Sequence, residues 1–283
     1  MPPPEETAPP AEPSPELPPA RSLRQAVVTA LILLALIVVC GIGGRRWFFV
    51  LAVVVVLMAM FELLDALVQK GRRPSIPLGL AATLGILVAA YQERFAFMGI
   101  VLAVSTYAAF VFALRPSRGA SPGSDAAWTI FGLAWIAGGG AGAVSILVMD
   151  GGLSLLIAAV LIVACDDIGA YFAGTRFGRH KIAPSISPAK SWEGFVGGIG
   201  TALAGGLLFA SLLREMTVPT GLALGAIAAL LAPVGDLVES LVKRELGIKD
   251  SGRLLPGHGG MLDRLDAILF CCPALSLYLH FVA

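Results

Sequence analysis

The sequence predicts an all-α, polytopic integral membrane protein. Hydrophobic residues make up 57% of the 283 positions, the mean hydropathy is +0.85 and only 14% of residues are charged. Soluble domains carry about 25% charged residues, so this chain has too few charges to cover a water-exposed surface. A net charge of +1 also excludes a basic nucleic-acid-binding protein, and the four cysteines show no zinc-ligand spacing.

Apolar runs long enough for membrane helices occupy most of the chain. A helix needs about 20 apolar residues to cross the hydrocarbon core. We predict nine helices, with eight or ten as open alternatives, at about residues 25–42, 47–65, 76–91, 95–113, 127–149, 152–172, 195–213, 218–238 and 261–282. The Pro- and Glu-rich residues 1–22 are predicted to be a disordered tail, which leaves 23–283 as one membrane-embedded domain.

The positions of Lys and Arg between these helices predict their orientation. With the N-terminus inside, sixteen of the twenty basic residues fall on the inner side and four on the outer side. Cytoplasmic loops carry an excess of Lys and Arg. The two long polar loops, near 173–194 and 239–260, are therefore predicted to be cytoplasmic.

Ionisable residues are sparse in the first half of the chain and dense in its last 120 residues. Glu62 and Asp65 end the second apolar run, so a solvated helix end explains them. An ionisable residue inside a membrane helix is costly and marks a candidate functional site. The catalytic part is therefore predicted at about residues 160–283.

A first cluster of polar residues covers residues 165–194, CDDIGAYFAGTRFGRHKIAPSISPAKSWEG. Asp166 and Asp167 lie beside several glycines, and Ser187 and Lys190 follow in the loop. Glycine-rich backbone next to basic side chains suits close approach to a phosphate. No Walker pattern is present, so a P-loop is excluded. Charge that only sets the membrane topology remains the alternative.

A second cluster covers residues 233–266, PVGDLVESLVKRELGIKDSGRLLPGHGGMLDRLD. If the eighth helix continues beyond the membrane, Asp236, Ser240 and Lys243 share one helix face at i, i+4 and i+7. Arg244 is then offset by about 80° on the 3.6-residue period. This face presents a carboxylate, a hydroxyl and an ammonium group together.

The chain must then turn back to the membrane, since Pro256–Gly260 is not helical throughout. His258 in this turn is interpreted as a turn residue or a phosphate donor. Asp263 and Asp266 open the ninth helix on either side of Arg264. The helix macrodipole favours acidic residues at such a position whatever their function.

Together the two helix ends favour a metal-assisted phosphoryl-group site. Asp236 and Asp263 are placed to converge on one hard cation. Mg²⁺ is usually bound by one or two protein carboxylates, with waters and substrate phosphates completing its octahedron. A boundary salt bridge between Asp236 and Lys243 is the structural alternative.

The same residues resemble the signature of the phosphatidate cytidylyltransferase (CDP-diacylglycerol synthase) family. The resemblance rests on three segments: Ser240-Leu-Val-Lys243-Arg244, Lys249-Asp250-Ser-Gly252, and Leu255-Pro256-Gly-His258-Gly259-Gly260-Met-Leu-Asp263-Arg264-Leu-Asp266. Asp167-Ile-Gly-Ala-Tyr171 and Ser187-Pro188-Ala-Lys190-Ser-Trp-Glu193-Gly194 are also similar to that family. Ile168 replaces the family's usual Ser or Thr, and the long Pro-rich tail is a second departure.

The resemblance implies a reaction in which CTP and phosphatidate give CDP-diacylglycerol and pyrophosphate, with Mg²⁺ and room for a second metal ion. It also implies a homodimer in the inner membrane of a bacterium, in contact with membrane lipid. The active site is expected on the cytoplasmic face.

The predicted roles of individual residues follow from the resemblance. The predicted metal ligands are Asp236, Asp263 and Asp167. The predicted catalytic residues are Asp236, Asp263, Lys243, Arg264 and Asp266. The predicted substrate-binding residues are Ser187, Lys190, Ser240, Arg244, Lys249, Asp250 and His258, with Lys190 and Ser187 assigned either to the lipid phosphate or to a CTP oxygen.

Two other functions fit parts of the pattern. A CTP-dependent lipid kinase of the dolichol-kinase type shares the nucleotide and the membrane setting but transfers the γ-phosphoryl group. An ion-coupled transporter also has intramembrane acids, but such folds tend to show repeated halves with broken helices near the midplane. A CDP-alcohol phosphotransferase is disfavoured because its DGxxAR…GxxxD…D pattern is missing.

Overall fold

The structure, a computed structural model, describes residues 23–114, 121–248, 250–252 and 259–282. The predicted tail, residues 1–22, lies outside the described residues. The described part contains ten α-helices: α1 (Leu23–Ile42), α2 (Arg45–Gln69), α3 (Ile76–Tyr91), α4 (Phe95–Ala113), α5 (Pro122–Gly132), α6 (Gly138–Val148), α7 (Gly152–Phe177), α8 (Trp192–Leu212), α9 (Val218–Leu246) and α10 (Leu262–Val282).

The predicted all-α, polytopic membrane fold is confirmed. Helices α5 and α6 join through a π-helical turn, Leu133–Ala137, into one continuous segment. In the described part of the chain, nine helical segments therefore match the nine predicted apolar runs. Seven of these segments are long and apolar enough to cross a membrane, and α3, with 16 residues, is shorter. The prediction of nine spans is therefore approximate, while the class of an integral membrane protein holds.

Helix α9 extends well past the end of its apolar run. It has 29 residues and ends at Gly247, whose φ of 60° is the left-handed conformation common after helix C-termini. At 1.5 Å per residue the helix is about 44 Å long, whereas the hydrocarbon core of a bilayer is about 30 Å thick. The predicted continuation of this helix is confirmed, and its last turns carry Lys243 and Arg244.

Glycines bring helices α6 and α10 into close backbone contact. A Cβ atom at Gly142 would lie 2.6 Å from the Pro273 nitrogen and 2.7 Å from the Cys272 carbonyl carbon. Gly139 lies equally close to the backbone of Leu269. Small residues at membrane helix interfaces permit such approach, and here they place α10 against the middle of the molecule.

A short hairpin connects α7 to α8, where the sequence analysis predicts only a loop. Strand β1 (Lys181–Ala183) pairs antiparallel with β2 (Ser187–Ser191). Ser191 then caps α8, because its hydroxyl accepts a hydrogen bond from the Gly194 N–H at 3.2 Å. The hairpin returns the chain to the bundle and carries Ser187 and Lys190 with it.

Candidate active site

Five aspartates from three helices line one cavity at an end of the helix bundle. The cavity has a volume of about 460 Å³ and lies between α7, the hairpin, the start of α8, α9 and α10. We call it the acidic cavity. Its charged lining residues are Asp166, Asp167, Asp236, Asp263, Asp266, Lys190 and Arg264. Five carboxylates against two cations give this cavity an excess of negative charge.

Close helix packing brings these aspartates together. A Cβ atom at Gly235 would lie 2.8 Å from the Asp266 carbonyl oxygen and 3.0 Å from the Ala267 Cα. Because Gly235 has no side chain, α9 approaches α10 at this level. Asp236, the next residue along α9, therefore shares the cavity with Asp266.

The hairpin supplies a cation to the acidic cavity. Lys190 on β2 places its Nζ 2.6 Å from the Asp236 Oδ2 atom and donates a second hydrogen bond to the Pro233 carbonyl at 3.0 Å. Both side chains of the pair are less than one-third exposed. The ion pair therefore links the hairpin to α9.

A second ion-pair network joins α9 to the start of α10. The Lys243 Nζ lies 2.8 Å from the Glu239 Oε1 atom and 3.0 Å from the Asp263 Oδ1 atom. Asp263 also accepts hydrogen bonds from the backbone N–H groups of Gly260, at 2.9 Å, and Ser251, at 3.1 Å. These contacts hold the Asp263 carboxylate at the N-terminus of α10, where the macrodipole also favours a negative charge.

A second opening lies beside the acidic cavity and has the opposite character. It has a volume of about 630 Å³, and its polar lining consists of Ser187, Ser240, Lys243 and Arg244. We call it the basic pocket. Arg244 is braced by a hydrogen bond from its Nε to the Ile186 carbonyl at 3.3 Å. Two hydroxyls and two cations on converging elements form a surface suited to phosphate oxygens.

Lys243 connects the two openings. Its side chain lines the basic pocket, while its Nζ pairs with Asp263, which lines the acidic cavity. The predicted helix face of Asp236, Ser240 and Lys243 thus spans both openings, with Asp236 in the acidic cavity and the other two in the basic pocket.

The acidic cavity also has an apolar wall. Its apolar lining includes Val160, Val163 and Ala164 of α7, Phe195 of α8 and Ile268 of α10. Val160 lies two turns along α7 from Asp167, in the direction away from the hairpin. The cavity therefore runs from charged groups near the end of the bundle to aliphatic groups deeper in it.

The donor set of the acidic cavity fits a hard divalent cation. Among the described residues, no three Asp, Glu, His or Cys side chains are grouped closely enough to hold a metal ion by themselves. Mg²⁺ does not need such a cage, because it retains waters and binds substrate phosphates alongside one or two carboxylates. A surplus of oxygen ligands facing an open cavity meets that requirement.

Three predicted substrate contacts lie elsewhere or outside the description. Asp250 is half-buried near Asp263, since a Cβ atom at Gly259 would lie 3.7 Å from an Asp250 oxygen and 2.7 Å from an Asp263 oxygen. Lys249 and His258 lie outside the described residues.

The sequence analysis missed two residues of the site. Glu239 is 5% exposed and pairs with Lys243; its position one turn before that lysine was the available signal. Asp166, singled out but given no role, is 1% exposed in the wall of the acidic cavity, and its Oδ1 atom has no hydrogen-bond partner among the described residues.

The expectation of a solvated helix end is wrong for Glu62. This residue is 3% exposed, because α2 continues to Gln69 and the start of α10 covers the side chain. Asp65, by contrast, is half-buried and accepts a hydrogen bond from Gln69 at 2.7 Å.

Comparisons with known proteins agree on one family. A profile of the cytidylyltransferase family matches residues 24–282. The phosphatidate cytidylyltransferase of Mycobacterium bovis is 36% identical over 262 residues, which cover 88% of this chain and 85% of that protein. The Mycobacterium tuberculosis enzyme of the same name is 36% identical over 88% of this chain and 80% of its own length. A third phosphatidate cytidylyltransferase, from Brucella suis, is 46% identical over 45% of this chain and 47% of its own length.

Proposed function

The chain belongs to the cytidylyltransferase family, and on that premise we propose that it is a phosphatidate cytidylyltransferase. It transfers CMP from CTP to phosphatidate and releases pyrophosphate, which gives the CDP-diacylglycerol used in phospholipid synthesis. The similarity to enzymes of that name covers 88% of this chain.

One observation carries the assignment of the substrates to the site. The basic pocket and the acidic cavity meet at the 3.0 Å contact between Lys243 and Asp263. A polyphosphate fits the hydroxyls and cations of the basic pocket. A lipid headgroup fits the acidic cavity, where charged groups adjoin an apolar wall that suits acyl chains.

The reaction needs positioning more than it needs a protein nucleophile. A phosphate oxygen of phosphatidate attacks the α-phosphorus of CTP, and the bond from this phosphorus to the oxygen that bridges to the β-phosphate breaks. Pyrophosphate leaves with that bridging oxygen and its electron pair. A phosphate monoester is already anionic near neutral pH, so no strong general base is required.

The chain's own residues orient the two phosphates. Lys243 and Arg244 neutralise the β- and γ-phosphates and the pyrophosphate that forms. Ser187 and Ser240 donate hydroxyl hydrogen bonds from opposite sides of the basic pocket. Lys190 and Arg264 face the phosphate of the lipid from the acidic cavity.

We propose that Asp236, Asp263 and Asp167 hold Mg²⁺ in the acidic cavity, with Asp266 adjacent and room for a second ion. When bound, Mg²⁺ neutralises charge on phosphate oxygens during transfer. The surplus of three negative charges in the lining supports this proposal. Mn²⁺ binding followed by electron paramagnetic resonance tests it independently of turnover, because Asp236→Asn should weaken the binding and Asp65→Asn should not.

We also propose that the site faces the cytoplasm at the inner membrane of a bacterium. The excess of Lys and Arg in the loops on this side supports that orientation, and CTP is available there. A homodimer is a further proposal from the family, and multi-angle light scattering in detergent tests it.

The deciding experiment uses purified protein, phosphatidate, Mg²⁺ and CTP labelled either at the α- or at the γ-phosphate. We expect the α-label in the lipid and the γ-label in pyrophosphate. A lipid that carries the γ-label would instead identify a CTP-dependent lipid kinase. Asp236→Asn should yield neither product, and Asp65→Asn serves as the matched carboxylate control outside both openings.

A further inference from the structure

A buried carboxylate on α2 lies beneath the start of α10. Glu62 is 3% exposed, although neither the acidic cavity nor the basic pocket has a lining residue from α1 to α6. Burial of a carboxylate in a membrane bundle is costly and is retained where the charge or its hydrogen bonds are used. An aliphatic side chain would fill the same space without that cost.

The backbone of the polar loop closes around this carboxylate. The Leu262 N–H donates a hydrogen bond to the Glu62 Oε2 atom at 2.9 Å. A Cβ atom at Gly260 would lie 2.6 Å from Oε2, and one at Gly252 would lie 2.5 Å from Oε1. Only glycine fits at both positions, so two separate stretches of backbone contact the same carboxylate.

Those two stretches also hold Asp263. The Gly260 N–H donates to Asp263 Oδ2 at 2.9 Å, and the Ser251 N–H donates to Oδ1 at 3.1 Å. Gly260 therefore contacts both Glu62 and Asp263, and Ser251 is the neighbour of Gly252. A shift of this backbone away from Glu62 would move the groups that orient Asp263.

Helix α2 has a second contact with the catalytic half. Lys70, two turns after Glu62, donates a hydrogen bond to the carbonyl of Gly247, the C-cap of α9, at 3.3 Å. One helix of the N-terminal half thus touches the end of α9 and the start of α10, which are the helices that carry Lys243 and Asp263.

We propose that Glu62 is a positioning residue for the transfer reaction: its carboxylate fixes the backbone at Gly252 and Gly260–Leu262 and so directs Asp263 into the acidic cavity. This inference rests on the proposed function for its kinetic consequence, but its structural part stands without it. Glu62 touches no substrate, and it acts through the loop.

The test compares Glu62→Ala, Glu62→Gln and the control Asp65→Asn, which changes a carboxylate on the same helix that hydrogen-bonds Gln69. Residues that support metal or phosphate ligands typically contribute about 10–100-fold in activity. We expect Glu62→Ala to lower kcat by about this factor with little change in KM for CTP. Glu62→Gln keeps an acceptor for the Leu262 N–H and should restore kcat to within a few-fold of the unmodified protein.

Amide hydrogen exchange measures the structural part without turnover. In Glu62→Ala the amides of Ser251, Gly252 and Gly260–Leu262 should exchange faster, while those of α8 keep their protection. Unchanged exchange at these amides, or loss of protection throughout the bundle, would overturn the proposal. So would an unchanged kcat, or a Glu62→Gln protein as impaired as Glu62→Ala. If the unmodified protein forms no CDP-lipid, the proposed function fails, and the exchange result still decides the role of Glu62.

Discussion

Replacing Lys243 with methionine tests the connection between the two openings. Methionine keeps the length of the side chain but removes the ammonium group that lies 2.8 Å from Glu239 and 3.0 Å from Asp263. At an effective dielectric constant of about 20, a 3.0 Å ion pair has a Coulomb energy of about 5 kcal/mol. Removing one partner of a buried pair typically costs about 3–5 kcal/mol, and the Lys243 side chain is 18% exposed. We therefore expect the lower value, about 3 kcal/mol.

The loss should appear both in stability and in catalysis. A cost of about 3 kcal/mol corresponds to a fall in apparent unfolding temperature of roughly 6–12 °C for a protein of this size. A hydrogen bond to a charged group contributes about 1.5–3 kcal/mol, so kcat/KM for CTP should fall about 10–100-fold. Asp166→Ala, which alters only the wall of the acidic cavity, should weaken CTP binding less.

A second substitution separates the two effects. Glu239→Gln added to Lys243→Met removes one of the two carboxylates that lose their partner, so the unfolding temperature should largely recover. The CTP defect should remain, because the cation in the basic pocket is still missing. Wild-type kcat/KM for CTP in the double variant would refute a phosphate contact by Lys243. An unchanged unfolding temperature in the single variant would refute the stabilising role of the ion pair.

Three further outcomes are expected. Asp236→Asn and Asp263→Asn should each abolish incorporation of labelled CTP into lipid while the protein still inserts and folds in membranes; incorporation at the wild-type rate by either variant would contradict the metal assignment. Gly235→Ala should lower stability by about 1–3 kcal/mol, because its Cβ would meet the Asp266 carbonyl at 2.8 Å, whereas Gly200→Ala should be neutral because nothing lies within 4 Å of that Cβ; equal unfolding temperatures for the two variants would count against the proposed α9–α10 contact. Chelation of divalent cations should stop the reaction and added Mg²⁺ should restore it, and turnover that persists in excess chelator would exclude the magnesium proposal.

The helices were predictable because their burial in lipid is written directly into composition. Each predicted apolar run falls on a helical segment of the described chain, and the continuation of α9 to Leu246 followed from the spacing of Asp236, Ser240 and Lys243. The hairpin was not predictable, since β1 and β2 are too short to show an alternating pattern. Its effect is large, because it brings Lys190 to Asp236.

Contacts between distant helices account for the remaining errors. Hydropathy reports that a residue such as Glu62 lies near a helix end, but it does not report which helix packs over it. The contact of Glu62 with Leu262 joins residues 200 positions apart. It depends on Gly252 and Gly260, whose importance is evident only when the carboxylate is seen between them. The position of Ser240 and Lys243 in a different opening from Asp236 has the same origin, since one helix face can border two cavities.

The apolar wall formed by Val160, Val163 and Ala164 has a kinetic consequence. A substrate that reaches the aspartates along this wall arrives by lateral diffusion within a leaflet, and its product departs the same way. The rate should then depend on the mole fraction of phosphatidate in a mixed micelle or vesicle. Adding inert detergent at a fixed bulk amount of phosphatidate would slow the reaction through surface dilution, although every aqueous concentration stays the same.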